Sequence, residues 1–208
     1  METKTIAVTH PDSIPLALEI LRSGGLVAFP TDTVYGLGAL AFNAAAVESI
    51  YAAKDRPNEK AIPVLLGSAD DLPKVAESVP EMALALAARF WPGPLTLVIP
   101  KHPRLPEAVS AAATVGVRVP AHAAARALLQ AAGPMAVTSA NLSGWPSPCT
   151  ASEVLGQLGG RIPLILDGGQ TPGGVPSTVV DCLGAEPKVL RAGPISEDEI
   201  FRLLGLSR

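Results

Sequence analysis

The sequence predicts an α/β protein built on a mixed sheet. Segments with helical periodicity alternate with short apolar strand-like segments along the 208 residues. Several connections are too short to hold a crossover helix, so some neighbouring strands must run antiparallel. The chain is 48% hydrophobic and 17% charged, a composition that buries a core rather than staying disordered. No long linker or internal repeat divides it, so one domain over residues 1–208 is expected. The 19 glycines and 21 prolines are spread out, as tight turns between short elements require.

Lys4 to Thr9 alternates as a strand. Asp12 or Ser13 caps a helix that starts near Pro15 and stops at Gly24-Gly25, the usual placing of proline and glycine at helix ends. Gly25 to Pro30 reads as a buried strand, and the glycine-punctuated TDTVYGLG (31–38) as a loop. Asn43 caps a helix over AAAVESIYAAK, which ends before Pro57. Ile62 to Leu66 reads as a strand, followed by helical stretches over 70–76 and 80–90 and a turn at WPGP (91–94). LTLVIP (95–100) and VGVRVP (115–120) read as strands, and AHAAARALLQAAG as a helix stopped by Gly133. Met135 to Thr138 is a strand, 139–150 a loop of small polar residues, and 152–158 a short helix. LILD (164–167) is a strand and 168–177 a loop with four glycines, a candidate lid. TVVD (178–181) and KVLR (188–191) form a strand pair, and the tail SEDEIFRLLG is a capped helix with acids in its first turn.

Several function classes are disfavoured. The net charge is −3, and four Phe, two Tyr and two Trp supply no stacking stripe, so coating nucleic acid is not the main task. Trp91 and Trp145 stand beside prolines and are expected to pack. Cys149 and Cys182 make no secreted-type disulfide framework, the N-terminus is not of signal-peptide type, and no apolar run approaches a membrane span. A soluble, cytoplasmic protein is the expectation. The P-loop, G-x-G-x-x-G and G-x-S-x-G patterns are missing, and His10, His102 and His122 lack zinc-ligand spacing.

What stands out is a set of cations beside hydroxyl- and glycine-rich loops. Lys54, Arg56 and Lys60 lie at a helix end and in the loop KDRPNEK, Arg118 interrupts an apolar strand, and Arg191 ends KVLR. A charge inside such a strand is costly unless it is paired or faces a polar cavity. Taken alone, Lys54 to Lys60 can equally be solvated surface and Arg118 an outward-facing strand residue. Taken together, the set suits a polyphosphate or a carboxylate. The loops TDTVYGLG, SANLSGWPSPCT and GGQTPGGVPST follow strands, where open α/β sheets bind ligands.

FPTDTVYGLG (29–38), KDRP (54–57), FWPGPLTLV (90–98), VGVRVP (115–120), TSANLSG (138–144), ILDGG (165–169), STVVD (177–181) and VLRAG (189–193) come in one order and spacing. In these motifs the chain resembles the YrdC-like family, the threonylcarbamoyl-adenylate synthases, in its short single-domain form. The resemblance implies a twisted mixed α/β sheet flanked by helices, with a large concave cavity. It implies formation of threonylcarbamoyl-adenylate and pyrophosphate from L-threonine, bicarbonate and ATP, with Mg²⁺ accompanying ATP and no dedicated protein metal cage. It implies tRNA as the indirect target, through a separate transferase complex.

The same resemblance implies residue roles. Lys54 and Arg56 would grip ATP phosphates, and Ser139 and Asn141 would hold the nucleotide and reaction centre. Thr33, Arg118, Thr138 and Ser177 would bind threonine, Arg118 through the carboxylate. Lys60 and Arg191 would reach the nucleotide. Asp32 and Asp167 are turn or cap residues, or water-mediated metal ligands. The chain departs from many relatives in having Leu65 where they carry a histidine, Pro176 where they carry a glutamate, and Cys149 where a hydroxyl is common. Two other readings share the resemblance: an RNA-binding module, and a carbamoyl-transfer enzyme of the hydrogenase-maturation type.

Overall fold

A computed structural model describes residues 2–57 and 60–206. Among them, ten strands form one sheet: β1 (Lys4–Ala7), β2 (Val27–Phe29), β3 (Gly36–Leu40), β4 (Val64–Leu65), β5 (Leu95–Pro100), β6 (Thr114–Arg118), β7 (Met135–Ser139), β8 (Leu164–Asp167), β9 (Thr178–Asp181) and β10 (Lys188–Arg191). Seven helices flank it: α1 (Ser13–Arg22), α2 (Ala44–Lys54), α3 (Leu72–Val75), α4 (Glu81–Phe90), α5 (Ala123–Ala132), α6 (Ala151–Leu158) and α7 (Glu197–Leu203). The spatial order is β1-β8-β2-β3-β7-β4-β6-β5-β9-β10. The sheet is mixed as expected. Strands β1 and β2 run parallel to β8, β4 to β6 and β5 to β9, and the remaining neighbours are antiparallel.

Asp12 stands at the N-cap of α1 as expected but makes no side-chain cap bond, and the Ser13 hydroxyl donates to the Val8 carbonyl at 3.1 Å instead. The Asn43 side chain accepts from the Ala46 N–H at the start of α2. Thr150 with Glu153 and Ser196 with Glu199 form reciprocal capping boxes on α6 and α7. The predicted strand pair of TVVD and KVLR is β9 with β10.

One reading is corrected. Residues 36–38, read as loop, open strand β3, which lies between β2 and β7. A Cβ on Gly36 would meet Val137 Cγ1 at 2.7 Å, and one on Gly38 would meet Met135 Cε at 2.9 Å. Side chains from the flanking strands close over β3 here, so the glycines are what lets the strands approach rather than a sign of a turn.

The sheet separates two apolar clusters, and strand side chains alternate between them. Leu26, Ala28, Ala136 and Ile165 join the cluster packed on α2, α4 and α6. Val27, Phe29, Met135, Val137, Leu164 and Leu166 face the other way, onto α1 and α5. That second cluster contains nothing from β5, β6, β9 or β10. On the α1/α5 side, this half of the sheet lacks an apolar helical cover, and the site lies there.

Candidate active site

A cavity of about 230 Å³ opens on that uncovered face. One row across the sheet builds its floor. Leu65 of β4 pairs with Arg118 of β6. Thr96 of β5 lies one step beyond the Leu97–Val117 pair, beside Arg118, and itself pairs with Val179 of β9. Val179 in turn pairs with Arg191 of β10. Leu65, Arg118, Thr96 and Arg191 all line the cavity. The walls come from the loop after β2 (Thr31, Thr33), the end of β7 (Thr138, Ser139), Arg56 after α2, and Pro176 with Ser177 before β9.

Arg118 is 5% exposed, which removes the outward-facing reading of this residue. Its Nε donates to the Gly93 carbonyl at 2.9 Å, Nη1 to Thr33 Oγ1 at 3.3 Å, and Nη2 to Asp32 in a buried ion pair. Each terminal nitrogen keeps a second N–H. Burial pulls the Arg118 pKa down, Asp32 opposes that, and Arg191 adds to it. Arginine stays charged under such pressure, so a fixed cation faces the cavity. Asp32 is therefore an arginine partner, and its Oδ2 is buried without a hydrogen-bond partner.

The hydroxyls are polarised by what they already bond. Thr31 spends its proton on the Val34 carbonyl at 2.7 Å. Its oxygen accepts the backbone N–H groups of Thr33 and Val34 at 3.2 and 3.3 Å and lies 3.0 Å from Thr33 Oγ1. Thr33 Oγ1 accepts from Arg118 Nη1 at 3.3 Å. Arg191 donates from Nε and Nη2 to the Ser177 carbonyl, at 3.0 and 2.8 Å, and from Nη2 to Ser177 Oγ at 3.1 Å. Its pKa is lowered by burial.

Lys54 and Asn141 stand outside the cavity lining. Lys54 is 1% exposed, so it is not solvated surface. Its Nζ donates to the carbonyls of Ser139 and of Asn141 (2.6 Å for the latter) and lies 3.4 Å from Asn141 Oδ1. The Asn141 amide closes its own loop on the Leu142 and Trp145 carbonyls, both at 2.8 Å. Lys54 thus pins the 139–145 loop against the end of α2, and Ser139 is the member that reaches the cavity. Burial, with Arg56 nearby, takes the Lys54 pKa down to about 7.

Arg56 lines the cavity while Nη2 donates to the Lys60 and Ala61 carbonyls at 3.2 and 3.1 Å, and its Nε is buried without a partner. The Lys60 side chain is exposed and outside the lining. Asn58 and Glu59, in the same loop, lie outside the described residues. Asp167 serves its own turn, accepting from Gly169 N–H at 2.9 Å. Trp91 packs and donates to the Leu95 carbonyl at 2.7 Å, but Trp145, expected to pack, is 61% exposed on its loop. The sequence reading missed Thr31 and Thr96 as cavity residues. The available signal for Thr96 was a hydroxyl at the second position of the apolar run LTLVIP.

The Sua5/YciO/YrdC family model, described as telomere recombination, matches residues 19–193. A threonylcarbamoyl-AMP synthase of Pyrococcus abyssi is 45% identical over 92% of this chain, which spans 57% of that relative's length. A putative threonylcarbamoyl-AMP synthase of Mycobacterium tuberculosis is 41% identical over 98% of this chain and 96% of the relative. The crystal structure of P. abyssi Sua5 complexed with L-threonine superposes with a TM-score of 0.95 at 43% identity, covering 99% of this chain and 62% of that one. With its motifs, its mixed sheet and this extent of similarity, the chain belongs to the Sua5/YciO/YrdC family.

Proposed function

We propose that the protein is an L-threonylcarbamoyl-adenylate synthase. The observation that carries this reading is the buried Arg118, with N–H donors left over, in a cavity of amino-acid size. The cavity is smaller than the ~300–1,000 Å³ of typical drug-sized sites, so it suits threonine while most of ATP lies outside it. The names of the relatives and the threonine-bound structure support the same reading.

Threonine enters with its carboxylate on Arg118 and a hydrogen-bond donor on Thr33. Its amine attacks bicarbonate-derived carbon, water leaves, and a carbamate forms. A carbamate oxygen attacks the α-phosphorus of ATP, the bond to the β-phosphate oxygen breaks, and pyrophosphate departs. The carbamate is already an anion, so no strong base is needed at phosphorus. Catalysis is then positioning and charge stabilisation, which arginines and hydroxyls supply. Arg56 and Arg191 would face the phosphates, with Ser139 and Thr138 at the junction of the two substrates. Lys54 and Asn141 would contribute by holding that loop in place.

Among the described residues no three His, Cys, Asp or Glu side chains group to hold a metal, and Asp32 at the cavity edge is taken by Arg118. Mg²⁺ in this reading arrives as part of the substrate Mg-ATP, keeping its waters. The product, a mixed anhydride of a carbamate, would be consumed by a transferase that carries the group to tRNA, in the cytoplasm.

The deciding experiment is pyrophosphate release by the purified protein with Mg-ATP, omitting threonine or bicarbonate in turn. Release that needs both is the expected result. Release indifferent to threonine would overturn the assignment.

A further inference from the structure

Thr96 has not figured in any role so far, yet it lies in the cavity floor next to Arg118 and is 4% exposed. Its Oγ1 is 2.8 Å from Ser177 Oγ. Its Cγ2 sits over Gly116, where a Cβ would come within 3.1 Å. A β-branched side chain has few χ1 choices. With the methyl seated over Gly116 and the hydroxyl against Ser177, one orientation is fixed.

Counting protons gives the pair a polarity. Arg191 can only donate, so Ser177 Oγ is an acceptor in their 3.1 Å contact. The bond between Thr96 and Ser177 uses one of their two hydroxyl protons. The other has no acceptor among the described residues, and both residues line the cavity. Whichever oxygen carries it, the pair has one O–H donor to offer a ligand. A donor beside two arginines is matched by an anionic oxygen.

We propose that Thr96 is a substrate-binding residue of the site. Paired with Ser177, it presents a directed O–H to the carboxylate of an α-amino acid whose other oxygen lies on Arg118. This rests on the synthase reading above, and it adds a residue and a direction of hydrogen bonding to it. Thr96 and Ser177 together supply one oriented donor, and no proton is transferred.

The test compares wild type with Thr96→Val, which keeps shape and loses the hydroxyl, and Thr96→Ser, which keeps the hydroxyl. The KM values for L-threonine and for ATP are read from pyrophosphate release. L-threonine binding is measured separately by calorimetry, without ATP. Thr96→Val should weaken threonine roughly ten- to hundredfold, the range for losing one hydrogen bond to a charged group, with the ATP KM changing by less than about threefold. Thr96→Ser should recover most of the affinity. A Thr96→Val enzyme with wild-type threonine affinity would overturn the inference and leave the synthase reading intact. So would a Thr96→Ser enzyme as weak as Thr96→Val, since packing would then be the cause. If wild type binds threonine without releasing pyrophosphate, the synthase reading fails, and the calorimetric comparison still decides the role of Thr96. Should Thr96→Val not fold, Thr96→Ser against Ser177→Ala by the same calorimetry gives the answer. Both should bind threonine, Ser177→Ala at least roughly tenfold more weakly, and equal affinities would overturn the inference.

Discussion

Arg118 carries the largest single effect expected at the residue scale. Arg118→Ala leaves Asp32 buried without its partner and removes the anchor proposed for the threonine carboxylate. Breaking a buried pair costs about 3–5 kcal/mol, so urea unfolding should show a large loss of stability and the threonine KM should rise by at least about a hundredfold. Asp32→Asn keeps the shape and leaves a buried cation. It should lose stability by a similar amount, while an unchanged unfolding midpoint would contradict the pairing. Lys54 gives a pH signature. Its pKa is lowered to about 7 by burial first and Arg56 second. Between pH 7 and its ordinary value near 10.5 the unfolded chain binds the extra proton. Stability relative to Lys54→Met should therefore rise with pH across that window and be lost as pH falls toward 7. NMR titration of the Lys54 Cε should give a midpoint near 7. At this scale the sequence named most of the polar cavity residues, Arg118 and Ser177 among them. It did not place Lys54 and Asn141 behind the wall, because that depends on where a loop after β7 meets the end of α2.

At the scale of elements, the site depends on how closely β9 and β10 approach. A Cβ on Gly193 would meet the Thr178 nitrogen at 2.3 Å and the Pro176 carbonyl oxygen at 2.7 Å. Gly193→Ala should therefore push apart the segments bearing Ser177 and Arg191, lowering both thermal stability and threonine affinity. The Thr150 capping box is the contrasting case, since it lies on α6, outside the cavity lining. Thr150→Ala should cost about 1 kcal/mol of stability with kinetics unchanged. The caps of α2 and α7 were legible in the sequence because they are local: a side chain meets a backbone N–H three residues away. Strand β3 was not, because its glycines answer to Val137, Met135 and Phe29, which only the folded sheet brings near.

For the molecule as a whole, the sheet is covered unevenly, and that makes a cavity whose occupant stabilises the fold. Threonine at about a hundred times its dissociation constant should add about 2.7 kcal/mol. For a chain of this size that is a rise in Tm of roughly 5–10 °C, absent in Arg118→Ala. The sequence by itself determined the α/β class, the mixed sheet, the caps of α2 and α7 and the family motifs. All of these reside in local periodicity, in short-range hydrogen bonding and in the order of residues along the chain. Only the tertiary structure decided which residues share the row from Leu65 through Arg118 and Thr96 to Arg191, that Asp32 is the partner of Arg118, and that the Thr96–Ser177 pair keeps one proton to offer. Register between strands distant in sequence sets those neighbours, and the direction of each hydrogen bond follows from contacts that exist only once the strands have met.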